Sequence, residues 1–388
     1  MAQPPVFDIG AFQRDTAAGT TAIKRPREIA HFSYDDTHTL HVNSEQSLRY
    51  YYPAIINAPG SNEGKRSPIN LREGYDTFVK RDDKSDEHLD SLLATIIDLE
   101  QKQGHKLEVD FITWRGMMTK ILTAPFDFFS DFEMNATLFQ GTIYIEENHA
   151  YKQEQRAGEA RPPARNGIAQ EEIQYWGYKF ETLSSLPQPW ALCSRAEIEN
   201  RHREQINNHA QFCSIVRTGM GTSSFVIGGE VDAIEGVRPE NRNQPSSWVE
   251  FKTTKAPATP KDKRTYERKL LNFWAQSFLL GVPKLVVGFR DEEGSLLSSE
   301  EFQTQKLPGL VKNKMSHSWD GNTCLQFAAR LLEFLKTNIQ SEGMWRIKRK
   351  QGRPEVELFR VEESGHGNII SQAFKDHREK MLAGVTEG

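Results

Sequence analysis

Cysteine is scarce in this chain: Cys193, Cys213 and Cys324 stand alone, with no C-x-x-C pair among them. That spacing excludes a disulfide scaffold and a cysteine zinc site, and it favours a reducing compartment. Long apolar runs are missing as well. Phe278-Leu279-Leu280 is broken at once by Gly281 and Pro283, far short of the ~20 residues a membrane span needs. The N-terminus, Met-Ala-Gln-Pro-Pro-Val-Phe, has no basic stretch followed by an apolar one, so no secretory signal is expected and cytoplasm or nucleus remains. Excess positive charge is absent: 49 Lys and Arg face 53 Asp and Glu, for a formal charge of −4. A polyanion would have to be held by a local basic cleft and a bound cation, not by the overall field. Several catalytic signatures are also lacking. There is no G-x-S-x-G elbow and no H-E-x-x-H; Gly219-Met220-Gly221-Thr222 is not a P-loop, and Ile227-Gly228-Gly229 lacks the spacing of a dinucleotide turn. His202, His209, His317 and His366 are scattered.

What is present is a chain of 388 residues, 37% hydrophobic and 26% charged, the composition of a globular protein able to bury a large core. One domain over 1–388 is expected, with no internal repeat. Residues 1–65 read as an irregular N-terminal wrap with a few short strands. Surface excursions are expected near 152–167, 237–247 and 291–320. Helical periodicity runs from Asp86 to Gln101, closed by Gly104, and again from Ala169 to Leu183 and from Asn322 to Lys336. Ser194 and Glu197 form a capping-box pattern opening a helix to about Asn208. Alternation predicts strands over Lys106–Trp114, Thr142–Glu146, Phe212–Arg217, Ser224–Ala233, Met344–Lys348 and Val356–Val361. Ser247–Thr254, the helix Arg264–Leu280 and Lys284–Phe289 make a strand–helix–strand block of a mixed α/β layer. A closing helix is expected over Ile370–Met381.

Two of these strands carry the chemistry. In Gly-Gly-Glu-Val-Asp at 228–232, the period of two places Glu230 and Asp232 on one face. In Trp-Val-Glu-Phe-Lys at 248–252, Glu250 and Lys252 share a face while Val249 and Phe251 turn away. Three carboxylates would supply hard oxygen ligands for Mg²⁺ or Mn²⁺, and without a cation their repulsion would raise a pKa. The bland alternative is a charged edge-strand ladder. Lys252 could orient a water or neutralise a phosphate, or be a plain surface partner of Glu250. Glu181 adds a carboxylate from a helix in which Gly177 would need a close approach to justify it; by itself it reads as an exposed glutamate. Gln276, polar in an apolar half-helix, must find hydrogen bonds or face a cleft. Arg115, at a strand end, suits a phosphate or an ordinary carboxylate. Trp114, Tyr175, Trp176 and Tyr178 could stack a base or fill core. Lys24-Arg25-Pro26-Arg27 and Arg346–Lys350 are candidates for a nuclear import signal or simply wet surface.

In chain order, Trp114-Arg115-Gly116, Gly177-Tyr178-Lys179-Phe180-Glu181, Gly229-Glu230-Val231-Asp232, Val249-Glu250-Phe251-Lys252-Thr253, Trp274-Ala275-Gln276-Ser277-Phe278 and Val287-Gly288-Phe289-Arg290-Asp291 resemble the DXO family of RNA 5′-end quality-control enzymes. The likeness spans roughly residues 20–380 and leans toward the fungal nuclear members. It implies an α/β fold of two mixed β-sheets flanked by helices, with a catalytic core like that of E-x-K metal nucleases. It assigns cation binding to Glu181, Glu230, Asp232 and Glu250 with the Phe251 carbonyl, water and phosphate positioning to Lys252 and Gln276, and 5′-end binding to Arg115. The implied reaction is Mg²⁺- or Mn²⁺-dependent hydrolysis at the RNA 5′ end: pyrophosphate release from triphosphate RNA, or removal of an incomplete or nicotinamide-dinucleotide cap, in some members followed by 5′-to-3′ degradation. The implied partner is a nuclear 5′-to-3′ exoribonuclease, and the implied compartment the nucleus. Two other readings stand beside it: a non-catalytic stabilising subunit of that exoribonuclease, and a DNA nuclease sharing the E-x-K core.

Overall fold

The computed structural model describes residues 4–14, 21–54, 69–82, 84–158, 167–239, 247–316 and 318–386. Ten elements position the site: α1 (Asp90–Gln103), β1 (Phe111–Trp114), α2 (Arg115–Thr123), α3 (Gln170–Leu183), β2 (Gln211–Met220), β3 (Ser223–Glu230), β4 (Ala233–Ile234), β5 (Trp248–Lys255), α4 (Pro260–Leu280) and β6 (Lys284–Arg290). β1, β2 and β3 lie inside a ten-stranded sheet, and β4, β5 and β6 inside a seven-stranded one. Both sheets are mixed. In the first, β1 runs parallel to both of its neighbours, β3 and the strand Thr142–Glu147, with antiparallel pairs beyond; in the second, β5 and β6 are parallel around α4.

Burial follows the pleat. Phe111, Phe225 and Ile227 point into a central layer with Met118 and Ile121 of α2, Leu270 and Trp274 of α4, Phe327 and Leu331 of the helix Gly321–Asn338, and Leu285 and Val287 of β6. Ile112 and Val226 face the other way, onto Leu92, Leu93 and Ile96 of α1 and Phe374 of the closing helix. Val249, Phe251 and Val286 pack on Tyr175, Trp176 and Phe180 of α3. The molecule is therefore layered: α1, sheet, central helices, sheet, α3.

The helix signals behave as their chemistry requires. α1 ends on Gly104 at φ 72°, a left-handed position that glycine adopts without steric cost. α4 begins four residues before the periodicity suggests, because Thr259 and Asp262 form a capping box with Pro260 at the first helical position. Ser194 and Glu197 also form their box, but that helix stops at Asn200 and gives way to a 3₁₀ turn, well short of Asn208.

Other expectations are corrected too. The N-terminal stretch is not only an irregular wrap: Ile23–Tyr34 is a twelve-residue strand paired along β2. Its first half is exposed and its last residues are buried on both faces, so neither half alternates cleanly. Lys106–Asp110 precedes β1 without joining a strand, and Arg115, read as a strand end, opens α2. The excursion at 152–167 begins inside the helix His149–Gly158, with 159–166 outside the described residues. The excursion at 291–320 contains the strand Ser295–Gln303, antiparallel to β6, and the helix Leu307–Lys314; that strand reads as loop because most of its side chains are exposed. Within the third expected excursion, 240–246 lies outside the described residues.

Candidate active site

The chain leaves the first sheet at Glu230 and enters the second at Ala233. Glu230 and Asp232 therefore do not share a strand face, as the period of two predicts; β3 ends at Glu230, and Asp232 lies in the crossing. Val231 anchors that crossing, buried, with its N–H donating to the Phe212 carbonyl at 2.9 Å. Along β5, β4 reaches only Trp248 and Val249, so among the described residues the β5 edge has no strand neighbour on that side from Glu250 onward. Asp232 Oδ2 takes the place of one, accepting from the Phe251 N–H at 2.6 Å. A strand residue's N–H and C=O leave the backbone on the same edge, so the Phe251 carbonyl faces that side too.

Glu250 and Lys252 do share a face, turned from the Phe251 layer into the central one. Glu250 is fully buried between two cations: Lys252 Nζ donates to Oε1 at 2.6 Å and Arg115 Nη1 to Oε2 at 3.0 Å. Arg115 reaches it from the first turn of α2, and Gly229 is what lets it pass. A Cβ at Gly229 would sit 3.0 Å from the Arg115 Cβ and 2.9 Å from Leu280 Cδ1. Gly228 likewise admits the Trp114 ring, at 2.7 Å. Gly177 shows no such packing: a Cβ there meets nothing within 4 Å, so the close approach expected for it is not made by the protein.

Glu181 sits near the C-terminal end of α3, with Glu230 and Asp232 beside it along a cavity of about 420 Å³. Burial and then Asp232 and Glu230 hold the Glu181 carboxyl well above the usual carboxylate range. Burial raises Glu230 too, against the pull of Arg115, and with Glu250 pushes Asp232 up to about 8. Burial would also raise Glu250, but Arg115 and Lys252 outweigh it and hold its carboxyl low. Arg115 and Lys252 keep their protons more firmly than usual, because the attraction of Glu250 and Asp232 exceeds the cost of their burial. Gln276 is half-buried on α4 and makes no hydrogen bond among the described residues. It lies one turn before Leu280, on the helix face that meets Gly229 and Arg115.

Sequence reasoning missed the cavity wall. Gln211 Nε2 donates to Glu230 Oε2 at 3.3 Å, and Gln211, Tyr178 and Asn208 line both this cavity and a second of about 360 Å³. The second contains Trp114, Lys80, Arg81, Lys152 and His88. Of the four aromatic residues considered for stacking, Trp114 and Tyr178 reach these cavities, whereas Tyr175 and Trp176 are fully buried. Gln211, one residue before the strand predicted over Phe212–Arg217, carries no signal that singles it out.

Among the described residues, no three acidic or histidine side chains stand together as a finished metal cage. Their oxygens are turned instead onto Arg115, Lys252, the Phe251 N–H and Gln211. The donor set nevertheless fits a hard divalent cation: carboxylates crowded enough to hold protons at neutral pH lack a counter-charge of that kind.

Two mixed sheets with a carboxylate–lysine–arginine cluster at their crossing define the class, an α/β nuclease. Residues 24–375 match the family of RAI1-like PD-(D/E)XK nucleases. The chain is 49% identical over 365 residues to the Neurospora crassa decapping nuclease RAI1, covering 94% of this chain and 85% of that protein. It is 50% identical to the Emericella nidulans decapping nuclease RAI1, covering 96% and 98%. Among solved structures, Candida albicans Rai1 in complex with pU5-Mn²⁺ superposes with TM-score 0.87 at 28% identity, over 98% of this chain and all of that one. Scheffersomyces stipitis Rai1 in complex with (3′-NADP)⁺ and calcium gives 0.84 at 27%, over 97% and 100%. The chain belongs to the RAI1-like nuclease family.

Proposed function

We propose that this chain is a divalent-cation-dependent hydrolase of RNA 5′ ends, releasing pyrophosphate from triphosphate RNA and removing incomplete or nicotinamide-dinucleotide caps. The observation that carries the reading is a coupled cluster: Glu181, Glu230 and Asp232 line one cavity, and they interact with buried Glu250 and its two cations, Lys252 and Arg115. The strand Glu250-Phe251-Lys252 is read as the E-x-K core of a metal nuclease. Glu181, Glu230, Asp232, Glu250 and the Phe251 carbonyl would hold Mg²⁺ or Mn²⁺; the manganese and calcium complexes of the two yeast relatives support a divalent ion. When bound, such an ion supplies an activated water and offsets charge on the phosphoryl oxygens.

The rest is done by the chain's own groups. Lys252 and Arg115 retain their charge against burial because carboxylates face them, and so stay as fixed cations for the phosphate. Gln276, uncommitted inside the protein, is free to donate its amide to a phosphate oxygen or orient the water. Tyr178, Asn208 and Gln211 connect the carboxylate cavity to its neighbour, whose lining mixes Lys80, Arg81 and Lys152 with five carboxylates, giving the 5′ end room on both sides. The test is release of pyrophosphate or cap dinucleotide from triphosphate, unmethylated-cap, methylated-cap and nicotinamide-capped RNA, with Mg²⁺ and with Mn²⁺. Full activity in Glu230→Ala/Asp232→Ala would overturn the assignment.

A second role is favoured by one surface. Trp190 and Leu192, 66% and 68% exposed, stand together in one 3₁₀ turn. Exposed apolar side chains so close together suit a protein contact, here with a nuclear 5′-to-3′ exoribonuclease that consumes the monophosphate end. A nuclear location accords with that role and with Lys24, Arg25 and Arg27, all exposed. Arg346 and Lys348 of the other basic run are committed to Glu133. Stimulation of the exoribonuclease by the Glu230→Ala/Asp232→Ala protein separates a stabilising role from end processing.

A further inference from the structure

The first ten residues of α4 contain five cations, Lys261, Lys263, Arg264, Arg268 and Lys269, and two acids. Both acids are already engaged. Asp262 caps the helix on Thr259, and buried Glu267 accepts from the Ser318 hydroxyl at 3.0 Å and the Ser316 N–H at 3.2 Å. Lys261, Arg264 and Arg268 fall at i, i+3 and i+7, one exposed stripe about 10 Å long. None of the three makes an ion pair among the described residues. Arg268 instead lies over the ring of Phe129, 5.4 Å from its centroid, and Phe129 is 68% exposed.

At its other end the stripe opens onto a cavity of about 290 Å³ at the C-terminal ends of β5 and β6, lined by Lys255, Lys261, Lys269, Arg290, Trp176 and Tyr266. Its two rim carboxylates are taken, Asp262 by the helix cap and Glu292 by Lys255 at 2.5 Å. Tyr266 is 7% exposed and, among the described residues, its hydroxyl has no partner; the Trp176 indole N–H and the Arg290 Nε are buried and likewise unpartnered there. Buried donors without acceptors, beside the unpaired ammonium of Lys261, are what an incoming anion would satisfy. The C-terminal edge of parallel strands is also where open α/β sheets bind ligands. The residues assigned to the catalytic site lie elsewhere on these same elements: Glu250 is five residues up β5, and Gln276 two turns beyond Lys269 on α4.

We infer that the Lys261–Arg264–Arg268 stripe, with the cavity at its head and Phe129 at its foot, is a second RNA-binding surface that holds the single-stranded transcript by its phosphates, outside the catalytic cavity. The inference rests on the RNA 5′-end reading. In a chain of net charge −4, it supplies the local basic surface that a polyanion needs. The alternation of unpaired cations with an exposed aromatic ring is how single strands are held without regard to sequence.

The test compares triphosphate RNAs of about five and about thirty nucleotides on the wild type and on Lys261→Glu/Arg264→Glu/Arg268→Glu. Each phosphate that the protein no longer neutralises takes ~0.7 off the salt slope, so KM for the long RNA should rise about tenfold or more near 0.1 M salt. The slope of log KM against log salt should flatten, while kcat and the short-RNA KM stay as in the wild type. Lys261→Gln/Arg264→Gln/Arg268→Gln should give the smaller loss of simple neutralisation, and Phe129→Ala a loss confined to long RNA. Equal KM values for long RNA in wild type and charge-reversed protein overturn the inference. So does loss of exoribonuclease binding in the reversed protein with RNA kinetics unchanged, which would make the stripe a protein contact. A wild type that releases no pyrophosphate from either RNA would instead refute the 5′-end reading itself.

Discussion

Cation affinity should climb steeply with pH between about 6 and 8, and Asp232 sets the scale. Its carboxyl stands at about 8 in the cation-free protein, raised by burial and by Glu250. A divalent ion must displace that proton. At pH 6 about one molecule in a hundred has Asp232 ionised, and at pH 8 about half, so one displaced proton alone makes binding ~50-fold tighter across the interval. Glu181 and Glu230 are raised as well, chiefly by burial, so an ion that takes them as ligands displaces protons from them too. Stability runs the opposite way. A carboxyl whose folded pKa exceeds its unfolded one binds more protons when folded, so the cation-free protein loses stability as pH rises from about 4 through about 8. Saturating Mn²⁺ should remove that loss. Calorimetric titration with Mn²⁺ at three pH values, with melting curves at each, checks both signs. An affinity flat across the range, or the same slope in Asp232→Asn, would refute the reasoning.

Gly229→Ala forces a methyl against Arg115 and Leu280 and should cost about 1–3 kcal/mol and most of the turnover, read by denaturant melts beside pyrophosphate release. Gly177→Ala, with open space around it, should instead raise stability by about 0.5–1 kcal/mol in the same melts. Glu250→Gln leaves two cations facing each other in a buried site and should destabilise by about 3–5 kcal/mol as well as abolish activity; a fully stable variant would show that Arg115 and Lys252 find other partners. Trp190→Ala/Leu192→Ala should abolish co-purification with the exoribonuclease at unchanged kcat, and retained binding would move the contact elsewhere.

Elements that carry their own end signals were readable in the sequence. Gly104 and Gly281 stop helices whatever surrounds them, and β5, apolar on one side and charged on the other, announces its faces. Elements whose period is blurred by their place in the fold were not. Ser295–Gln303 looks like loop because it is mostly exposed, and α2 hides behind Gly116, a poor helix former. At the site, Glu250 and Lys252 were placed correctly because a two-residue step within one strand is local. Asp232 was not, since a two-residue β4 leaves no period to show that the chain has changed sheets. Arg115 meets Glu250 across 135 residues of sequence; that contact depends on α2, α4 and Gly229 packing together, which no local pattern encodes.

The crossing at Val231-Asp232 also makes the site a gauge of the architecture. Glu230 belongs to one sheet, Glu250 and Lys252 to the other, Glu181 to the outer helix and Arg115 to the inner one. If that cluster is the catalytic centre proposed above, neither sheet owns it alone, and a fragment, a half-folded chain or a loosened interface should be silent. Because misplacement by about 1 Å is enough to cost ~100-fold in rate, turnover should fail under mild denaturant before either sheet melts. The enzyme would then cut RNA only when the whole of it is assembled.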